Sequence, residues 1–169
     1  VVEQVRLHSG GTPPCIDSSD MAVLQAGIEQ WCSVEGAAKL MVNSIPYVER
    51  EKYKPILEMR KKHPFNLVCL LVGSEGPLKS IDEMVDASRE LFKMAREAGF
   101  EATELYFDAV TLGIASDGCI DAMGGFKASH THNSFHAIKT IVNDPEMKGV
   151  HAALGVSNWV YGAKKRRIG

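Results

Sequence analysis

Short blocks of Val, Leu, Ile, Phe and Met punctuate this chain, and between them apolar residues recur every three or four positions. The short blocks predict strands: "PPCID" (13–17), "AKLMVN" (38–43), "NLVCLLV" (66–72), "ELYFDAV" (104–110) and "GVHAALGV" (149–156). The block at 66–72 is continuous rather than alternating, as a parallel sheet requires. The stretch 150–156 reads as a buried strand. The longer stretches predict helices over 21–32, 47–62 and 133–143, with Pro55 a possible kink in the second. Ser18, Ser19 and Asp20 offer caps for the first. Another helix opens at Ser80, where Ser80 and Glu83 have capping-box spacing. Met84, Val85, Leu91, Phe92 and Ala95 form its apolar stripe, and Gly99 closes it. The opening "VVEQVRLHSGG" reads as the end of a helix running into a turn. Five strands with four intervening helices imply right-handed βαβ units in a parallel sheet, an α/β fold.

Polar residues gather where these strands stop. Asp17 follows "CI", Asn43 follows "MV", Asp108 follows "YF", and Ser157-Asn158 follow "GV". In a parallel barrel such ends converge on one rim, where ligands bind. Two carboxylates and two carboxamides accept from and donate to N–H groups. That set suits a flat heterocycle with amidine-like N–H groups, such as a pterin or guanine. It does not suit a phosphate, which wants glycine-rich amides or basic side chains. The structural alternative stays open at this point, because Asp and Asn are also common turn and cap residues in βα loops.

Composition narrows the function classes. The 169 residues suit one domain, 1–169, and 45% apolar with 24% charged residues supports a packed core. A net charge of −2 gives no general case for nucleic acid or a membrane surface. No apolar run approaches the roughly 20 residues of a membrane span. Cys15, Cys32, Cys69 and Cys119 are irregularly spaced and form no zinc pattern. They read as reduced thiols of a cytoplasmic protein. The chain starts at Val1 and ends after a basic stretch, as expected of a piece of a longer protein.

"CIDSS" (15–19), "LMVNS" (40–44), "LYFDA" (105–109) and "LGVSN" (154–158) occur in the order of the pterin-binding methyltransferases. "NSIPYVEREKYKPI" (43–56) resembles that family's Asn-Ser followed by a charged helix. "GSEGPLKS" (73–80) resembles its Gly-Ile-Pro-Lys loop. The chain thus resembles methyltetrahydrofolate:corrinoid-protein methyltransferases and, with them, the pterin domain of cobalamin-dependent methionine synthase. The resemblance implies a (β/α)8 TIM barrel of which this chain holds about strands three to seven. Five strands of an open barrel expose two edges and half a core, so such a piece is expected not to stand alone.

The same resemblance implies a methyl transfer between N5 of tetrahydrofolate and the cobalt of a corrinoid (cobalamin) held by a partner protein, and a possible homodimer. Asp17, Asn43 and Asp108 would hold the pterin ring. Asn158 would reach N5 in a network with Asp108, and Ser157 would line the same wall. Arg166, with Arg167 next to it, would pack near the pterin. Lys164 and Lys165 would be solvated or face an acidic partner or the folate's glutamyl tail. Asn158 is no acid at physiological pH; its part would be a hydrogen bond to the proton-bearing N5 as charge develops. Ala109 replaces the family's usual Pro, Trp159 replaces a small residue, and the 111–131 loop is bulky.

Two other readings stand beside it. One is a dihydropteroate-synthase-like enzyme, against which the Ser-Asn-Trp turn argues. The other is a non-catalytic or truncated paralogue that docks corrinoid proteins. His130, His132 and His136 could ligate a metal, yet no carboxylate or Cys stands at a matching spacing, so no metal site is assigned. His151, inside a predicted strand, reads as a satisfied core or rim histidine. No Gly-x-Ser-x-Gly elbow supports a nucleophilic triad.

Overall fold

Backbone pairing turns the predicted strand blocks into one sheet. A computed structural model describes residues 1–113 and 129–160. The strands are β1 (Cys15–Asp17), β2 (Leu40–Pro46), β3 (Phe65–Leu70), the hairpin strands β4 (Val72–Gly73) and β5 (Gly76–Pro77), β6 (Leu105–Asp108) and β7 (His151–Ala152). β1, β2, β3, β6 and β7 lie side by side in that order, each pair parallel, while β4 and β5 pair antiparallel apart from them. The helices are α1 (Val2–His8), α2 (Met21–Cys32), α3 (Lys54–Glu58), α4 (Ile81–Glu97) and α5 (His130–Val142). The fold is mixed α/β, and its strand order never reverses. Right-handed crossovers that always step the same way put the connecting helices on one face of the sheet.

Local chemistry sets the helix limits. The Asp20 carboxylate accepts from the Ala22 N–H at 2.8 Å and starts α2, whose Leu24, Ile28 and Trp31 recur at helical spacing and are buried. An added Cβ at Gly27 would stand 2.6 Å from Ile16 Cδ1, so its missing side chain lets α2 lie close on β1. The capping box of α4 is formed: Ser80 Oγ accepts from the Glu83 N–H, and the Glu83 carboxylate accepts from the Ser80 N–H. Gly99 follows that helix at φ +96°, in the left-handed region that glycine enters freely.

Burial shows which face the helices cover. Leu40, Val42, Ile45, Phe65, Leu67, Cys69, Leu105 and Phe107 join Leu24, Ile28, Ile56, Met84, Leu91 and Ile141 in one core. Phe65 meets Phe100 edge-on, centroids 5.1 Å apart. Burial of the Cys69 thiol pushes its pKa up to about 12, so it is inert. The alternate residues Met41, Asn43, Asn66, Leu70, Tyr106 and Asp108 are only half-buried, and Cys15, Asp17 and His151 are exposed. Among the described residues no helix is long and apolar enough to cross a membrane.

Several expected elements differ. The single charged helix over 47–62 is three pieces, Tyr47–Glu49, α3 and Met59–Lys61, and Pro55 sits in the first turn of α3 rather than kinking a longer helix. The 66–72 block stops at Leu70, and the Gly/Pro loop holds the β4–β5 hairpin. β2 runs three residues beyond Asn43, with a register shift between Asn43 and Ile45 and a cis Asn43–Ser44 peptide. The expected strand over 149–156 shrinks to His151–Ala152, both exposed. β7 pairs on one side only, with Tyr106 and Phe107 of a four-residue strand, so little ladder supports a longer one. Four residues on, the chain winds into a short 3-10 turn, Val156–Val160.

Candidate functional site

Side chains alternate between faces along a strand, so residues in register on neighbouring strands share a face. Asp17 pairs with Asn43, Asn43 with Val68, Val68 with Tyr106, and Tyr106 with His151. One row therefore crosses all five parallel strands on the face turned away from the helices. Its first pair is bonded: the Asn43 carboxamide donates from Nδ2 to Asp17 Oδ2 at 3.2 Å. Its last pair is stacked: the Tyr106 and His151 rings lie 4.8 Å apart at 28°. Val68, nearly fully buried, supplies an apolar middle.

Asp108 ends β6 two residues beyond Tyr106 and pairs with Leu70. It lies on the same face as Asn43, two strands and about 10 Å of sheet away. Burial pushes its carboxyl above the usual aspartate range, and a hydrogen bond from the Val110 N–H to Oδ1, 2.7 Å, pulls the other way. Among the described residues no hydrogen bond engages Oδ2. Val110 has φ +58°, which a β-branched residue rarely adopts and which costs on the order of 1–3 kcal/mol. Such a residue persists only where its surroundings hold it. Here the start of α5 does so. Ser134 Oγ stands 2.9 Å from the Ala109 carbonyl and 2.8 Å from that of Val110, and His130 Nε2 is 3.1 Å from the Val110 carbonyl. Thr131 Oγ1 bonds both the N–H and the carbonyl of Leu112.

The structure thus brings together Asp17, Asn43 and Asp108, though Asn43 lies inside its strand rather than at its end. Ser157 and Asn158 stand apart from the row. Both are exposed on the Val156–Val160 turn, five and six residues beyond β7, and not at a strand end as expected. That turn is tied to the Asp108 side by Thr111 Oγ1, which donates to the Gly155 carbonyl at 2.6 Å. Asn158 folds back, its N–H bonding the same carbonyl at 2.9 Å. Arg166, with Cys119, Lys164, Lys165 and Arg167, lies outside the described residues, as does the Trp159 side chain. His151 is an exposed strand residue, not a core one, and its register with Tyr106 is what sequence reasoning missed. The His132 and His136 rings do share a face, 4.3 Å apart, but no cluster of three metal-ligating side chains occurs among the described residues.

The opposite, N-terminal end of the sheet is built differently. Glu104 is 2% exposed and accepts from Lys39 and from Arg60, the latter at 2.9 Å. Burial would raise its pKa, but these partners and the Glu101 N–H hold the carboxyl below the usual glutamate range. This closed ion cluster just before β6 has no free acceptor and reads as structure. The candidate site is the other end, where carboxylates and a carboxamide keep open valences. An open hollow of about 530 Å3, lined by Ser19, Asp20, Met21, Gln25 and Lys52, lies beside the loop that leaves β1.

No protein-family model matches the chain. A methionine synthase of Mycobacterium leprae (strain TN) is 23% identical over 159 aligned residues, covering 89% of this chain. The chain spans about 12% of the length of that relative. The likeness marks a distant relation to a methyltransferase.

Proposed function

We propose that the open sheet face binds the pterin of a reduced folate, and that the chain takes part in methyl transfer at N5. The observation that carries this is the Asp17–Asn43 pair and Asp108 on one face of the sheet, the face turned away from the helices. Hydrogen-bond acceptors with open valences fit the amino and N–H edge of a pterin, and the half-buried Leu70 fits a ring face. The distant likeness to methionine synthase, and a strand order that never reverses, support reading the sheet as an arc of a (β/α)8 TIM barrel completed by further strands. On this reading residues 1–169 are part of a pterin-binding domain.

A corrinoid on a partner protein, when bound, supplies the cobalt between which and N5 the methyl group moves. The chain's own residues do the rest. Asp17 and Asn43 act as one unit, because their mutual hydrogen bond fixes the amide and leaves the other carboxylate oxygen to the ligand. Asp108, partly desolvated, accepts from the pterin through Oδ2. Asn158 and Ser157 sit on a separate turn, so in our reading that turn moves against the face on binding. Asn158 then hydrogen-bonds N5 as its charge changes, with a proton held between them. One such placed donor is typically worth about 3 kcal/mol of the barrier.

The test is single-turnover methyl transfer from 5-methyltetrahydrofolate to cob(I)alamin by the full-length protein. Asn158→Ala should slow it by about a hundredfold while folate affinity changes only a few-fold. A parent protein that binds the folate and transfers nothing would favour the non-catalytic reading.

A further inference from the structure

The strained turn after β6 is held by two side chains that touch no site residue, and this assigns them a task. Ser134 is fully buried, and its Oγ lies within 3.1 Å of the carbonyls of Ala109, Val110 and His130 and of His130 Nε2. A serine hydroxyl has one proton to give, so it cannot serve all of these at once. With His130 Nε2–H on the Val110 carbonyl, the Ser134 proton is free for Ala109; the two side chains together then fasten both carbonyls of the turn. The Val110 N–H, on the other side of the same peptide plane pair, reaches Asp108 Oδ1 at 2.7 Å. The carboxylate is thereby pinned by one oxygen, and its second oxygen is aimed.

We infer that Ser134 and His130 are positioning residues for Asp108, acting through Val110. The inference rests on the folate reading for its ligand, but the hydrogen-bond chain is independent of it. Without the clamp, Val110 relaxes toward negative φ, its N–H leaves Asp108, and the carboxylate rotates freely. Other groups near Asp108 that titrate are Tyr106 on its own strand, His151 on β7 and His130 itself on α5.

Two measurements on the full-length protein test this. The first is a double-mutant cycle on 5-methyltetrahydrofolate affinity. Ser134→Ala should weaken binding about tenfold in the parent and less than twofold in an Asp108→Asn background. An equal loss in both backgrounds means a general structural role and overturns the inference. Ser134→Cys keeps the bulk and donates weakly; it gives the same comparison should the alanine variant fold poorly. The second follows the Asp108 carboxyl carbon by NMR through a pH titration, with Asp108→Asn as the assignment control. Loss of the Val110 hydrogen bond in Ser134→Ala should move the midpoint upward; an unmoved midpoint overturns the inference. This second measurement needs no ligand. A parent that fails to bind the folate therefore sinks the functional reading and leaves the positioning inference to the NMR result.

Discussion

Asn43 on β2 donates its carboxamide proton to the Asp17 carboxylate on β1 at 3.2 Å, across a pair of residues in direct register. Two strands that follow each other in the chain thus present one bonded acid–amide unit on the face turned away from the helices. Because Asp17 is exposed, little folding energy rests on the pair. Asn43→Ala should change the melting temperature by less than about 2 °C, since surface substitutions shift stability by at most about 0.5 kcal/mol. It should weaken 5-methyltetrahydrofolate binding by about tenfold, as expected for a hydrogen bond worth about 1–2 kcal/mol. Thermal melts and calorimetry read the two effects separately.

Asp108 should show the opposite balance. Its folded pKa is raised by burial, so the charged form is disfavoured in the folded chain. Stability is then greatest below the ordinary aspartate pKa and falls as pH rises through the folded value. Asp108→Asn keeps an acceptor for the Val110 N–H and removes the charge. We expect it to raise the melting temperature at pH 7 by about 2–4 °C while folate affinity drops at least tenfold. Melts at pH 7 and pH 4 check the sign: the gain should shrink at the lower pH.

Glu104 runs the other way. Its carboxyl is held below the usual range by Lys39, the Glu101 N–H and Arg60 despite burial, so its contribution is full above the ordinary glutamate pKa and is lost as pH falls below it. Glu104→Gln leaves the Arg60 charge, itself mostly covered, without its partner. The expected loss at pH 7 is about 3 kcal/mol, the lower end of the range for breaking a buried pair, since Lys39 is half exposed. Urea unfolding should show the difference from the parent narrowing in acid.

The Ser80 cap is a local test of the sequence reading. Ser80→Ala should destabilise by about 1 kcal/mol, read as a lower urea midpoint with an unchanged slope.

What was legible in the sequence follows from how local each signal is. The caps at Asp20 and Ser80 and the stripe of α4 depend on residues within one turn, and they stand where their spacing put them. That Asp17, Asn43 and Asp108 share a face was legible because strand blocks end or bend near each. The length of β7 was not, because "GVHAALGV" is apolar enough for a strand while its partner offers only Tyr106 and Phe107 for pairing. The same holds for Asn158, whose place depends on where β7 stops. Val110 and Ser134 carried no local sign at all: a valine at positive φ and a serine beneath it make sense only once α5 is packed on the end of β6.

The central claim is that the sheet face carrying Asp17, Asn43 and Asp108 is a folate site. Its most direct test is a calorimetric titration of the full-length protein and its Asp17→Ala variant with 5-methyltetrahydrofolate. The account predicts saturable one-site binding by the parent, weakened about tenfold or more in the variant with an unchanged melt. Equal affinity in both proteins would contradict it.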